Sequence, residues 1–105
     1  EFLSNSASGD GGAIYMNSAN KVLTAQTSGS DDGRMTFSSN TALNGGAVYS
    51  NSTISTVSGA SSLFLEFYNN VAKGGDGGAI NSRGAIELGS EGFETSGFVC
   101  TSNIA

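Results

Sequence analysis

Short stretches of apolar residues recur along the whole chain and are separated by Gly, Ser and Asn. Apolar and polar positions alternate within several of them, as in strands with one buried face, and many of the apolar residues are β-branched or aromatic. Each stretch is too short for a stable helix, and the residues between them favour turns. The pattern therefore predicts an all-β fold.

One six-residue phrase occurs four times. Its copies are FLSNSA (2–7), FSSNTA (37–42), FYNNVA (67–72) and CTSNIA (100–105). The asparagine at the fourth position recurs after 35, 30 and 33 residues. This spacing indicates tandem repeats, and its irregularity indicates loops of variable length. We expect one domain over 1–105, with repeat units at 2–36, 37–66 and 67–99 and a partial fourth at 100–105.

Two further apolar stretches follow that phrase in each unit. The second phrase reads GGAIY, GGAVY or GGAIN and begins at Gly11, Gly45 and Gly77. The third stretch alternates with period two, and its pairs are Val22 and Thr24, Ile54 and Thr56, and Ile86 and Leu88. Each unit thus contains three short strands. Since equivalent strands return at similar intervals, we expect a right-handed parallel β-helix of about three coils.

Stacked coils, about 4.8 Å apart, would align equivalent side chains in columns. We expect Phe2, Phe37 and Phe67 to form a buried column, which Cys100 continues as a smaller buried side chain. Small interior side chains at the turns are expected at Ala7, Ala42, Ala72, Ala105, Ala13, Ala47 and Ala79. Because Cys100 is the single cysteine, it cannot form an internal disulfide.

Asparagines are predicted to form ladders at the coil corners. Asparagine tolerates left-handed backbone angles, and its amide can bond both to the next amide and to a carbonyl. The first ladder would contain Asn5, Asn40, Asn70 and Asn103. A second would contain Asn17, Asn51 and Asn81, each of which precedes a serine, although Asn81 follows its strand two residues sooner than the others do. The variable segments 25–34 and 57–63 are predicted to be exposed loops.

The composition narrows the possible functions. Only 37% of the residues are hydrophobic, which predicts a thin core. The net charge of −5 provides no basic stripe, so we expect no nucleic-acid partner. The sequence contains no secretion signal and no apolar run of about 18 residues that could span a bilayer. We expect any such signal or anchor to lie outside this chain.

The repeated GGA-Ile/Val and Phe-x-x-Asn motifs resemble the passengers of chlamydial polymorphic membrane proteins along essentially the whole chain. The first motif occurs at 11–14, 45–48 and 77–80, and the second at 2–5, 37–40 and 67–70. In the fourth unit Cys100 replaces Phe, and no GGA follows. The resemblance implies an autotransporter passenger on the bacterial outer membrane, or released from the cell, with its membrane translocator outside this chain.

The resemblance also implies adhesion to host cells through a protein receptor, and self-association of passenger segments. The implied adhesion residues are Phe2, Asn5, Gly11, Gly12, Ala13, Ile14, Phe37, Asn40, Gly45, Gly46, Ala47, Val48, Phe67, Asn70, Gly77, Gly78, Ala79 and Ile80. A structural alternative stays open, because a coil needs these residue types whatever it binds. The chain would then be a stalk or a self-assembling coat segment. Turn glycines and loops would meet a receptor more readily than interior columns.

Catalysis and metal binding are less well supported by the residues. Many polysaccharide-cleaving enzymes are β-helices, but this chain has no histidine, and its acids show no repeated pairing beyond Asp31–Asp32. We therefore expect no enzymatic activity. Asp10 and Asp76 lie in glycine turns two units apart, unlike the consecutive repeats that bind calcium, so no metal or cofactor is expected. The Asn51-Ser52-Thr53 match to a glycosylation acceptor is interpreted as chance in a bacterial protein.

Overall fold

The computed structural model describes residues 1–18, 23–26, 33–57, 63–87 and 97–105. Within these ranges the chain forms strands and turns and no helix, which confirms the all-β prediction. The strands are β1 Phe2–Leu3, β2 Ile14–Met16, β3 Leu23–Gln26, β4 Gly33–Ser38, β5 Thr41–Ala42, β6 Val48–Ser50, β7 Ile54–Val57, β8 Leu63–Tyr68, β9 Val71–Ala72, β10 Ile80–Ser82, β11 Ile86–Glu87 and β12 Gly97–Thr101.

All strand pairs among the described residues are parallel and join equivalent segments of different repeats. The first sheet has the order β1-β4-β8-β12, and the others are β2-β6-β10, β3-β7-β11 and β5-β9. Phe37 lies opposite Phe2 on one side and Phe67 on the other. The predicted parallel stacking of equivalent strands is therefore confirmed.

The asparagine phrase contains two strands, where the sequence predicted one. In the second repeat, β4 ends at Ser38 and β5 begins at Thr41. Ser39 between them has φ of 58° and is the left-handed residue, whereas the prediction placed that conformation at Asn40. The same conformation recurs at Ser4, Asn69 and Ser102. The chain thus turns one residue early, and the following asparagine side chain joins the buried ladder.

The core is a continuous row of aromatic and aliphatic side chains along the sheets. The Phe2 and Phe37 rings stack with centroids 4.6 Å apart, and those of Phe37 and Phe67 lie 4.8 Å apart. Both pairs are within 6° of parallel, which confirms the predicted aromatic column. The buried cluster consists of Phe37, Ala47, Val48, Ile54, Leu65, Phe67 and Ala79. Because each row packs on the next, the core is thin but extends through several repeats.

Cys100 continues the register of the aromatic column but is exposed, contrary to the predicted burial. Its strand, β12, forms one edge of the first sheet. Phe67 receives cover from Phe37 on one side and from β12 on the other, whereas the described residues provide no strand beyond β12. Partial burial against β8 still raises the pKa of the Cys100 thiol.

The third apolar stretch is shifted by one residue from its predicted register in the first repeat. Leu23 pairs with Ile54, so Leu23 replaces Val22 as the equivalent position, and Val22 lies outside the described residues. Ile86 pairs with Ile54 as predicted, whereas Leu88 lies outside the described residues. Both Val22 and Leu23 are apolar, and alternation by itself does not determine which of them is equivalent to Ile54.

The segments predicted to be loops are partly strand. Strands β3 and β4 extend into 25–34, and β7 and β8 extend into 57–63. The remaining residues of both segments, 27–32 and 58–62, lie outside the described ranges. The pairing of β4 with β8 begins at Gly33 opposite Leu63, four residues before the phenylalanines. Ladder hydrogen bonding therefore continues beyond the alternating apolar residues that identified the strands.

A corner of variable length precedes each glycine pair. It contains residues 8–10, 43–44 and 73–76 in the three successive repeats. On one side of it Ala42 pairs with Ala72, and on the other the Gly46 N–H donates to the Gly77 carbonyl. The strands therefore stay in register while the corner between them changes in length.

Candidate functional site

The asparagines of the first motif form a buried hydrogen-bonded ladder. Asn40 Nδ2 donates to Asn70 Oδ1 over 2.9 Å and to the Phe2 carbonyl over 3.0 Å. The Asn40 amide oxygen accepts from both the backbone N–H and Nδ2 of Asn5. Asn70 repeats these contacts with Asn103 and Phe37, and both central amides are completely buried. The predicted ladder is confirmed, and the side-chain amides of its two central members are hydrogen-bonded within the protein.

The two glycines of each pair have different structural roles. Gly45 has φ of 60°, a left-handed conformation in which a side chain would overlap the Val48 carbonyl. Gly46 lies against the next repeat, and a side chain there would overlap the Gly78 carbonyl. The first glycine therefore makes the turn and the second permits close contact between repeats. Both are buried, so in this repeat the glycine turn presents no exposed surface.

The predicted adhesion residues differ in exposure from one repeat to the next. In the second repeat all six are buried, and they are Phe37, Asn40, Gly45, Gly46, Ala47 and Val48. In the third, Phe67, Asn70 and Ala79 are buried and Gly77, Gly78 and Ile80 are half-buried. In the first, Asn5 is exposed, Gly11 is buried, and Phe2, Gly12, Ala13 and Ile14 are half-buried. The motif residues mainly build the stack, and their contact with a receptor stays a prediction.

The second predicted asparagine column contains only two of its three members. Asn51 Nδ2 donates to Asn17 Oδ1 over 2.7 Å. Asn81 instead lies opposite Tyr49 in the β6–β10 pair, two positions earlier than the prediction required. The predicted membership of Asn81 is therefore wrong. The sheet fixes this register because Ile80 pairs with Val48, and Asn81 follows Ile80 directly.

A charged cluster on the outer face of the first sheet was not predicted. Glu66 is only 7% exposed, although it alternates with the inward-facing Leu65 and Phe67. Its Oε1 lies 2.6 Å from Arg34 Nε, and its Oε2 accepts a hydrogen bond from the Tyr68 hydroxyl. That hydrogen bond, followed by burial and the negative charge of Glu66, raises the pKa of Tyr68.

The register of β4 and β8 could have revealed this cluster. Arg34 lies opposite Phe64 and Thr36 opposite Glu66, so Arg34 and Glu66 are diagonal neighbours on one face. Tyr68 follows Glu66 by two residues on the same face. Once Phe37 and Phe67 are aligned, the sequence places opposite charges, Arg34 and Glu66, at diagonal positions of neighbouring strands. That diagonal is the signal from which the contact could have been predicted.

The described residues include no group of three or more His, Cys, Asp or Glu side chains that could hold a metal ion. Asp31, Asp32, Glu91 and Glu94 lie outside these ranges. The described part of the chain also has no helix that could cross a membrane. The absence of catalysis, metal and cofactor therefore stays a prediction.

Comparison with known proteins addresses the origin of the repeats. The family model of the Chlamydia polymorphic membrane protein repeat matches residues 1–17, 34–51 and 64–83, which together make up more than half of the chain. Each matched segment contains one phenylalanine phrase and the glycine pair that follows it. No curated protein and no solved structure matches the chain. The matched segments show that this chain belongs to the Chlamydia polymorphic membrane protein repeat family.

Proposed function

We propose that the chain is a segment of a right-handed parallel β-helix that acts as the host-binding passenger of a surface autotransporter. The observation that carries this proposal is the in-register alignment of the family's motifs, in which Phe37 and Asn40 contact their equivalents in both neighbouring repeats. Membership of the polymorphic membrane protein family suggests a surface protein of the autotransporter type. In this role the motifs maintain a rigid scaffold, and exposed residues meet the receptor.

The outer face of the first sheet is the part of this scaffold best suited to protein recognition. Arginine and tyrosine are frequent energetic anchors at interfaces. Glu66 holds both Arg34 and Tyr68, and the Arg34 side chain nevertheless remains 69% exposed. Side chains that are already fixed lose less conformational entropy on binding. The proposed partner is a host-cell surface protein, and the proposed location is the bacterial surface, with the translocator in another part of the protein.

The proposed role requires neither catalysis nor a cofactor. Its test is adhesion of beads coated with the fragment to epithelial cells, with soluble fragment as the competitor. We expect beads to bind and soluble fragment to displace them. Arg34→Ala should reduce binding, whereas Lys73→Ala, which removes the same charge from the exposed corner of the third repeat, should not. Absence of competable binding would contradict the adhesin proposal.

Self-association is a second proposed property, and it is also the basis of the alternative stalk or coat function. The asparagine ladder has a constant direction, because each amide donates to the amide oxygen of the following repeat. Asn5 therefore presents an acceptor on one side of the stack, and Asn103 presents donors on the other. The edge residues Leu3 and Ile104 are 58% and 60% exposed. Complementary edges of this kind favour strand pairing between copies.

Light scattering tests this second property. We expect the mean mass of the fragment to increase with concentration. Oligomers without cell adhesion would favour the stalk or coat function, whereas a monomer at every concentration would contradict self-association.

A further inference from the structure

A recess lies at the corner between the first two repeats. Its lining residues are Ala7, Gly9, Asp10, Gly11, Tyr15 and Leu43. Two of them are large side chains that remain in contact with solvent, since Tyr15 is 54% exposed and Leu43 is 46% exposed. An aromatic ring and an aliphatic side chain thus stand beside one carboxylate, and none of the six lining residues is basic.

Gly9 lines the recess without contributing a side chain to it. A side chain built at that position would meet no atom within 4 Å, unlike one built at Gly11 or Gly12, which would overlap backbone atoms. The Leu43 backbone N–H donates to the Gly9 carbonyl over 2.7 Å and holds the two corners side by side. There is therefore room for a side chain at Gly9, which would add bulk to the lining of the recess.

The Asp10 carboxylate in the recess is held in place by a residue of the second repeat. Asn44 Nδ2 donates to Asp10 Oδ1 over 2.9 Å, which orients the carboxylate and leaves Oδ2 for another donor. The Tyr15 ring stacks on Tyr49 with centroids 5.5 Å apart and is supported on that side. The chain carries a net charge of −5, so its field favours the approach of a cation to this carboxylate.

We propose that this recess binds an arginine side chain of a protein partner. The aliphatic part of the side chain would pack on Leu43, and the guanidinium would lie between the Asp10 carboxylate and the Tyr15 ring. Arginine fits better than lysine because its planar, weakly hydrated group both stacks on aromatic rings and pairs with carboxylates. The inference adds to the proposed adhesion that the protein partner contacts this recess with an arginine. It depends on the proposed function only for its biological setting.

The test is a nuclear magnetic resonance titration of the labelled fragment with the blocked tripeptide Gly-Arg-Gly. We expect saturable shifts of the Leu43 methyl and Tyr15 ring signals. Gly9→Val adds bulk to the lining and should weaken binding, and Asp10→Asn should weaken it about two- to fivefold, as expected for one exposed ion pair or cation–π contact. Asp76→Asn makes the same charge change before the glycine pair of the third repeat and should leave binding unchanged.

Three results would overturn the inference. The first is an absence of saturable shifts. The second is equal weakening by Asp10→Asn and Asp76→Asn, which would show general attraction to a negative chain. The third is equal binding of a tripeptide with norleucine in place of arginine, which would show an apolar surface without a cation site. Bead adhesion of the unchanged fragment is a separate measurement, so failure of this inference is distinguishable from failure of the adhesin proposal.

Discussion

The first and second repeats contain nearly the same motifs in very different surroundings. Tyr49 is 7% exposed, whereas its stacking partner Tyr15 is 54% exposed. Asn40 is completely buried, whereas Asn5 is exposed. Among the described residues, paired strands lie on both sides of the second repeat and on one side of the first. Burial in this molecule therefore depends on the neighbouring repeats more than on residue type.

The largest expected effect is at the aromatic column. Phe37→Ala removes a ring that is 2% exposed and stacked on both faces, so we expect a loss of about 3 to 5 kcal/mol in the free energy of unfolding. Phe2→Ala should cost about 1 to 2 kcal/mol, because Phe2 stacks on one face and is partly buried. Chemical denaturation measures both values. Equal losses would contradict the difference between the repeats.

The next largest effect is at the asparagine ladder. Asn40→Ala leaves the Phe2 carbonyl and two donors of Asn5 without their partner and removes one of the two donors to the Asn70 amide oxygen, so we expect a loss of about 1 to 3 kcal/mol. Asn5→Ala is the matched control and should cost less than about 1 kcal/mol, since water can replace the exposed amide. An unchanged denaturation midpoint for Asn40→Ala would show that the ladder does not stabilise the fold.

The smallest expected effect is on the pKa of Tyr68 in β8, and it is sharpened by comparing β8 with its neighbour β12. Glu66 in β8 is 7% exposed, and the residue opposite it in β12, Val99, is 41% exposed. The hydrogen bond to Glu66 raises the pKa of Tyr68 above its ordinary value of 10.0. Its contribution to stability is therefore complete below pH 10.0 and is lost as the pH rises through the folded-state pKa.

Ultraviolet titration of tyrosinate measures this effect. We expect the Tyr68 transition, identified as the one lost in Tyr68→Phe, to lie above pH 10.0 and to move to lower pH in Glu66→Val, which introduces the residue type found opposite in β12. A Tyr68 transition that does not respond to Glu66→Val would contradict the assigned hydrogen bond.

The parts of the fold that follow from repetition could be predicted from the sequence. Phe37 and Phe67 align because identical residues in parallel strands occupy identical positions, and the same holds for Asn40 and Asn70. The glycine pairs indicated tight turns. Their separate roles were not predictable, because the overlap of a Gly46 side chain with the Gly78 carbonyl depends on the distance between repeats.

Other features depend on register and surroundings that a local pattern does not contain. Asn81 and Asn51 both precede a serine, but the register is set by the pairing of Ile80 with Val48. This register places Asn81 opposite Tyr49. Cys100 has the position of the buried column, but no strand in the described part of the chain covers it. The Arg34–Glu66 contact joins two repeats on the outer face of the sheet. Residues on that face do not recur from repeat to repeat, so no column of identical side chains points to the contact.

The corner before each glycine pair also determines where this architecture can accept new sequence. Residues 8–10, 43–44 and 73–76 differ in length while the strands on either side keep their pairing. The free-energy cost of lengthening a flexible loop rises only slowly with its length. A peptide tag or foreign epitope inserted after Gly75, where the surroundings are open, would therefore be displayed at this corner while the strands on either side keep their pairing.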